Sequence, residues 1–238
     1  MIHIFDKQNC CGCNACVQKC PKHCITMHED DEGFLYPKVD LSKCIDCHLC
    51  EIVCPCLNQG KPHEPLTCYA AMNTNGDIRK QSSSGGIFTA IAEKIIVSGG
   101  IVFGASFDEK WQVNHAYVEN IEELAAFRGS KYVQSRIGAT FKQAESVLKK
   151  GRKVLFSGTP CQISALNHFL RKEYDNLLTV EVVCHGVPSP KIWREYLESL
   201  HLTNIGNISH KDKSTGWRGY SITIYDTTGN ILLTERAS

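Results

Sequence analysis

Eight of the 14 cysteines in this 238-residue chain stand in two copies of one spacing, and that duplication constrains the first quarter of the sequence more than any residue propensity does. The run CCGCNACVQKCP places Cys10, Cys13, Cys16 and Cys20 at intervals x2, x2 and x3, with Pro21 behind them. The run CIDCHLCEIVCP repeats the pattern with Cys44, Cys47, Cys50, Cys54 and Pro55, each position 34 residues after its counterpart. Four more cysteines, Cys11, Cys24, Cys56 and Cys68, lie in the same stretch, so that only Cys161 and Cys184 remain for the rest of the chain. A short segment this rich in Cys, Lys, Asp and Pro cannot fold on apolar burial alone and needs cross-links or an inorganic centre.

The spacing selects among those options. Zinc sites pair C-x2-C units across a longer gap, which is a different pattern. A disulfide framework belongs to an oxidising compartment, yet MIHIFDKQNCCGC has no apolar signal stretch before Asp6 and Lys7, so a cytoplasmic protein is expected. Three cysteines at x2 spacing instead wrap a loop around one face of an iron–sulfur cube, and the fourth, one short helical turn on, points to the neighbouring cube. The ligands are therefore expected to cross: Cys10, Cys13, Cys16 and Cys54 for one [4Fe–4S] cluster, and Cys44, Cys47, Cys50 and Cys20 for the other. Cys11, Cys24 and Cys56 then read as packing beside the ligand shells, and Cys68 carries no signal. Short strands are expected at Ile25–Met27 and Phe34–Val39 around a turn at Asp31–Gly33.

Behind the linker NQGKPHEP, with a boundary near Lys61 to Leu66, the composition changes to alternating apolar segments. Lys plus Arg (26) nearly balance Asp plus Glu (25), so no general electrostatic drive toward nucleic acid or anionic lipid exists. The longest apolar run without charge, Ile95 to Phe107, is 13 residues with three glycines, short of the roughly 20 that span a bilayer. Helical periodicity runs through Ile87, Phe88, Ile91, Ala92, Ile95 and Ile96, with Ser82–Ser84 expected as the cap and Gly99–Gly100 as the stop. Strands are expected at Ile101–Phe107 and Asn114–Glu119, then a short helix from Ile121 and a longer one over Gly138–Lys150.

A βαβ unit follows from Lys153 to Val183. Its first strand ends in SGTPCQ, where Thr159 suits an N-cap, Pro160 the first helical position and Gln162 a capping box. The second strand, LLTVEVV, leads to Cys184 in CHGVPSP, and Pro190 opens another helix. Parallel strands would put Cys161 and Cys184 at one carboxyl edge, where open α/β sheets bind ligands. Neither GxGxxG in a strand-to-helix turn nor GxxxxGK[ST] occurs. The better anion site is the Ser82–Gly86 loop ahead of its helix, for which ordinary capping is the competing reading.

The motifs SSSGGIFTAIAE, RGSKYVQS, LFSGTPCQI and CHGVPSPKIW, in that order behind a two-cluster head, resemble the family of coenzyme F420 hydrogenase/dehydrogenase beta subunits from Cys10 to about Tyr225. The resemblance implies an α+β protein: a 2×[4Fe–4S] ferredoxin-type domain over residues 1–60, then an α/β flavoprotein domain with a mixed sheet over residues 66–238. It implies an iron–sulfur flavoprotein oxidoreductase in which FAD exchanges hydride with a two-electron carrier and the clusters carry single electrons. Ser83, Ser84, Gly85 and Gly86 would line the FAD pyrophosphate, and Lys131, Tyr132 and Gln134 would approach the flavin. Members use different substrates, deazaflavin F420 and chlorophyll-type pigments among them, so the substrate stays open.

The family continues beyond the hairpin whose turn is Thr227–Asn230, so the chain reads as truncated at its C-terminus. A third [4Fe–4S] cluster involving Cys161 and Cys184 is expected only in a longer form. The expected partners are a redox protein or ferredoxin and a small two-electron carrier or organic substrate, with no nucleic acid and no transmembrane segment. The alternative function is a ferredoxin-like electron carrier whose body docks a partner without flavin.

Overall fold

The computed structural model describes residues 1–236 apart from 5, 61–63, 215, 217 and 218. The expected linker boundary at Lys61 falls outside these residues. The head contains α1 (Ala15–Lys19), β1 (Ile25–Glu29), β2 (Leu35–Val39) and α2 (Leu49–Ile52). The duplication is one of backbone as well as of sequence. Gly12 and Asn14 in the first run have φ of 63° and 63°, and their counterparts Asp46 and His48 have 50° and 57°. Such left-handed residues cost energy for any side chain, so each run holds a shaped loop rather than a relaxed one. β1 and β2 pair antiparallel, Ile25 opposite Val39 and Glu29 opposite Leu35.

The body starts with α3 (Gly76–Gln81) and α4 (Ile87–Val97) and continues through β3 (Ile101–Phe107), β4 (Val113–Val118), α5 (Thr140–Lys149), β5 (Val154–Gly158), α6 (Pro160–Leu170), β6 (Leu177–Glu181) and α7 (Pro190–Ser199). A mixed sheet of order β4-β3-β5-β6 is at its centre, with β3/β4 antiparallel and β3/β5 and β5/β6 parallel. Alternation sorts its side chains. Ile101, Phe103, Val154 and Phe156 meet Phe141, Ile163, Leu166 and Phe169 of α5 and α6 on one face. Val102 and Leu155 meet Ala92 of α4 and Leu124 and Phe127 of a 3-10 turn on the other. Each fully buried aliphatic or aromatic side chain contributes about 1.5–3 kcal/mol.

A separate antiparallel sheet, β7 (Ile205–Asp212), β8 (Ser221–Asp226) and β9 (Ile231–Arg236), packs Ile208 and Ile224 against Trp193 of α7.

Three expectations are corrected. Ser82–Ser84 do not cap α4: the N-cap is Gly86 in the left-handed region, with no side-chain cap bond. Ser82 Oγ instead donates to the Ile78 carbonyl at 2.7 Å and Ser83 Oγ accepts from the Ser130 N–H at 2.6 Å, so both hydroxyls are spent elsewhere. The LLTVEVV strand stops at Glu181, leaving Val182 to Cys184 beyond its end. Helix α3, capped by Asn75 through the N–H groups of Asp77 and Ile78, and strand β7 were not expected. At SGTPCQ the capping box forms as expected, with the Thr159 N–H donating to Gln162 Oε1 at 3.0 Å.

Candidate functional site

The head holds two concave pockets of similar size, open to solvent. The outer one is lined by Cys44, Cys47 and Cys50 together with Cys20 and Cys24. The inner one is lined by Cys10, Cys13 and Cys16 together with Cys54, Cys11 and Cys56. Each run's fourth cysteine thus faces the other run's first three. Among the described residues no three Cys, His, Asp or Glu side chains converge as a single metal ion needs; the cysteines stand around a space instead of around a point.

The thiols are in unequal surroundings. Burial pushes Cys16 up to about 12 and raises Cys10, Cys50 and Cys54. Burial also opposes ionisation of Cys20, but N–H groups of Cys24, Lys22 and His23 donate to its sulfur and hold it below the ordinary thiol range. The Ile2 N–H donates to Cys50 Sγ at 3.2 Å. Sulfurs that accept backbone N–H bonds are stabilised as thiolates, the form in which cysteine binds metal.

The inner cavity lies against the body. Ala15, between Cys13 and Cys16, is fully buried in the core formed by α5, α6 and the mixed sheet. Asn14 Nδ2 donates to the Gly138 carbonyl at 2.8 Å, Gln18 Oε1 accepts from the Lys142 N–H at 3.1 Å, and Lys19 Nζ donates to the Phe169 carbonyl at 2.8 Å. Cys11 Sγ is 4.0 Å from Cys56 Sγ and lies beside the thiol of Cys161 at the start of α6, whose own hydrogen bond is to Thr159 Oγ1 at 3.1 Å. Cys161 and Cys184 do follow neighbouring parallel strands, but Cys184 is exposed and its thiol turns to the Gly186 carbonyl at 3.7 Å. Cys68 is exposed as well.

The residues expected at the flavin lie on two segments of the body that meet each other. Ser83 is bonded to Ser130, and Arg128 reaches Gln81 Oε1 at 3.1 Å and Thr89 Oγ1 at 3.4 Å, so the Ser82–Gly86 loop and RGSKYVQS form one surface. Ser84 is exposed on it. The glycines are needed by the chain itself: a Cβ on Gly85 would stand 2.8 Å from the Ala71 carbonyl, and Gly86 has φ +77°. Lys131 is half-buried, with Nζ donating to the Ala126 and Arg128 carbonyls at 2.7 and 3.1 Å, and desolvation pushes its ammonium down to about 7. Tyr132, 39% exposed, stacks on His210 of β7 with ring centroids 6.0 Å apart. Gln134 Nε2 donates to the Cys11 carbonyl at 3.4 Å, which ties this segment to the head, while Oε1 is buried without a partner among the described residues.

Two buried histidines near Lys131 escaped the sequence reading. His115 of β4 is fully satisfied, donating from Nε2 to the Ser157 carbonyl and accepting at Nδ1 from Ser135 Oγ, both at 3.0 Å. His210 accepts at Nδ1 from the Tyr132 N–H at 2.6 Å and leaves Nε2 buried without a partner among the described residues. Nothing in the local sequence of either distinguishes it from a surface histidine.

Comparison with known proteins divides the chain along the same lines. Residues 68–142 match the N-terminal profile, and residues 151–235 the C-terminal profile, of the coenzyme F420 hydrogenase/dehydrogenase beta subunit. The chain belongs to this family. Residues 9–58 match a 4Fe-4S dicluster domain, so the head of this family member is an iron–sulfur domain. Coenzyme F420-dependent sulfite reductase of Methanocaldococcus jannaschii is 29% identical over 215 residues, covering 84% of this chain and 31% of that protein. An F(420)H(2) dehydrogenase component of Methanosarcina mazei is 23% identical over 214 residues, covering 83% of this chain and 61% of that one. The chain thus spans from about a third to three fifths of the length of these curated relatives. A chain of the F420-reducing [NiFe] hydrogenase complex of Methanosarcina barkeri is similar over 69% of this chain and 58% of its own, at 21% identity and a TM-score of 0.49. None of this chain's described helices is long and apolar enough to cross a membrane.

Proposed function

We propose that the chain is an iron–sulfur flavoprotein that passes electrons between two [4Fe–4S] clusters and a two-electron carrier through FAD. The observation that carries this reading is the pair of similar cavities, each lined by three cysteines of one run and the fourth of the other. Cys10, Cys13, Cys16 and Cys54 would hold the inner cluster and Cys44, Cys47, Cys50 and Cys20 the outer one. Bound there, clusters supply one-electron chemistry, and FAD joins it to hydride exchange.

The chain's own residues divide the remaining work. Cys47 is exposed, which leaves the outer cavity open to a redox partner protein such as a ferredoxin. The inner cavity adjoins the body through Cys11 and Gln134, which shortens the distance an electron travels from head to body. Lys131 holds a proton with an affinity near neutral pH, so it can place a positive charge beside an anionic ring or release it. The amides at the start of α4, which lack a side-chain cap, suit an anionic group such as a pyrophosphate. The orphaned Gln134 Oε1 and His210 Nε2 fit a polar ring beside Lys131, and on this ground the residues fit FAD.

F420 is named in both relatives, and we propose a deazaflavin of this kind, or an organic substrate of equal electron count, as the carrier. Anaerobic reconstitution with iron, sulfide and FAD, followed by a visible spectrum and iron analysis, tests the reading. Cluster and flavin bands together with about eight iron atoms per chain are expected. Cluster bands without retained flavin would instead make it a ferredoxin-like carrier with a docking body.

A further inference from the structure

His210 is 8% exposed, on β7, and its ring is enclosed by Phe107, Trp193 and Tyr132 at centroid distances of 5.7, 4.7 and 6.0 Å. Its tautomer is determined by one contact. The Tyr132 N–H donates to Nδ1 at 2.6 Å, and a nitrogen that accepts carries no proton, so the neutral ring bears its hydrogen on Nε2. Burial, with the charge of Lys131, pushes the imidazole down to about 4, which keeps the ring neutral near pH 7. Nε2–H is then a donor sealed from water with no acceptor among the described residues. Buried donors are paired in native proteins almost without exception, and an unpaired one calls for a missing acceptor. The neighbouring indole N–H offers none: Trp193 Nε1 itself donates, to the Trp111 carbonyl at 2.6 Å.

The surroundings narrow the class of acceptor. His210 is stacked under Tyr132, which in sequence follows Lys131 directly and precedes Gln134 by two residues; Gln134 Oε1 is an orphaned acceptor among the described residues, and the Lys131 charge acts on the His210 ring. A donor, an acceptor and a cation on one short segment and the strand packed on it match a planar heterocycle edge in which carbonyl oxygens flank a ring N–H. The pyrimidine edge of an isoalloxazine has that order of groups.

We propose that His210 contacts the flavin, donating from Nε2–H to a carbonyl oxygen of the pyrimidine edge, with Gln134 Oε1 accepting from the ring N–H. This rests on the FAD reading above and adds a residue from the three-stranded sheet, outside all of the motifs that carry the family resemblance. β7 thereby becomes part of the flavin site, and the β7–β8–β9 sheet has a binding role beyond covering α7.

The test uses the full chain, reconstituted anaerobically, with FAD as the probe followed by its fluorescence. His210→Phe keeps an aromatic ring in the box and removes the donor; His210→Gln keeps an N–H donor. FAD binding about 5–10-fold weaker in His210→Phe and within about 2-fold of the parent in His210→Gln is expected for one lost hydrogen bond. Both variants lose the Nδ1 acceptor of the Tyr132 N–H, so their flavin-free melting temperatures should fall alike, and the gap in FAD affinity between them isolates the Nε2–H donor; a merely structural histidine would weaken FAD binding equally in both. Equal FAD affinity in parent and His210→Phe overturns the contact while leaving the FAD reading standing. No FAD binding by the parent overturns both. If His210→Phe does not fold, 15N-histidine labelling of the parent decides: FAD should move one imidazole Nε2–H resonance, and no movement overturns the proposal.

Discussion

The Cys11 thiol lies beside the Cys161 thiol across the seam between the cysteine-rich head and the body, close enough that each perturbs the ionisation of the other. Cys11 stands between Cys10 and Cys13 on the wall of the inner cavity, and Cys161 sits at the amino end of α6, directly after β5. The body's sheet edge and the inner cavity are therefore neighbours through a single pair of sulfurs.

Crossing can be read from one cysteine. Cys20→Ala should remove the cluster of the outer cavity, where Cys20 faces Cys44, Cys47 and Cys50, and spare that of Cys10, Cys13, Cys16 and Cys54. Iron should fall from about eight to about four atoms per chain. Electron paramagnetic resonance of the reduced variant identifies the survivor, and loss of the inner signal in its place would refute the crossing.

Cys161→Ser bears on the third cluster. Cys161 lines neither cavity, so the iron content of this chain should stay at about eight atoms per molecule. About twelve iron atoms in the parent falling to about eight in the variant would place a cluster at the sheet edge in this form, with Cys161 among its ligands.

Lys131 makes stability depend on pH in a definite direction. Its native ammonium is pushed down from 10.5 to about 7, so between those values the unfolded chain binds a proton that the native chain does not. Unfolding free energy then rises with pH from about 7 to 10.5 and is flat in this group outside the window. At about 1.4 kcal/mol per unit, and allowing for the residue's partial exposure, the gain is about 3 kcal/mol. Urea midpoints of the flavin-free chain should show this slope, and Lys131→Met should abolish it.

Gly86→Ala separates architecture from ligand binding. The residue has φ +77°, and a Cβ would stand 3.2 Å from Asn73 Cβ and 3.3 Å from Ser82 Oγ. A loss of about 1–2 kcal/mol is expected with no flavin present, measurable as a lower melting temperature. An unchanged melting point would mean that the loop relaxes, and that the glycine serves the ligand instead.

Much of this architecture was legible because its signals are local. Spacing alone paired Cys20 and Cys54 with the opposite runs, and SGTPCQ announced its helix through three adjacent residues. Helix α3 was hidden because six residues, GDIRKQ, are too few to show a period and are mostly polar. Strand β7 was hidden because IGNISHKD lacks clean alternation, and its pairing with β8 is interrupted by register shifts. The serines ahead of α4 had the right type and position for a cap, but tertiary partners on α3 and at Ser130 took their hydroxyls. His210 and the Cys11–Cys161 contact join residues remote in sequence, and no window of sequence contains both members of either relation.

Ala15 belongs to two structures at once. It is a link in the first cysteine loop and a fully buried member of the core beneath α5 and α6. Lineages that change the volume of Phe141 or Phe169 in that core must accommodate the change in the loop that carries Cys13 and Cys16. Head and body thus fit as a matched set: a ferredoxin-type head transplanted from another protein, with a larger residue in the place of Ala15, would carry its cysteines correctly and still fail to seat.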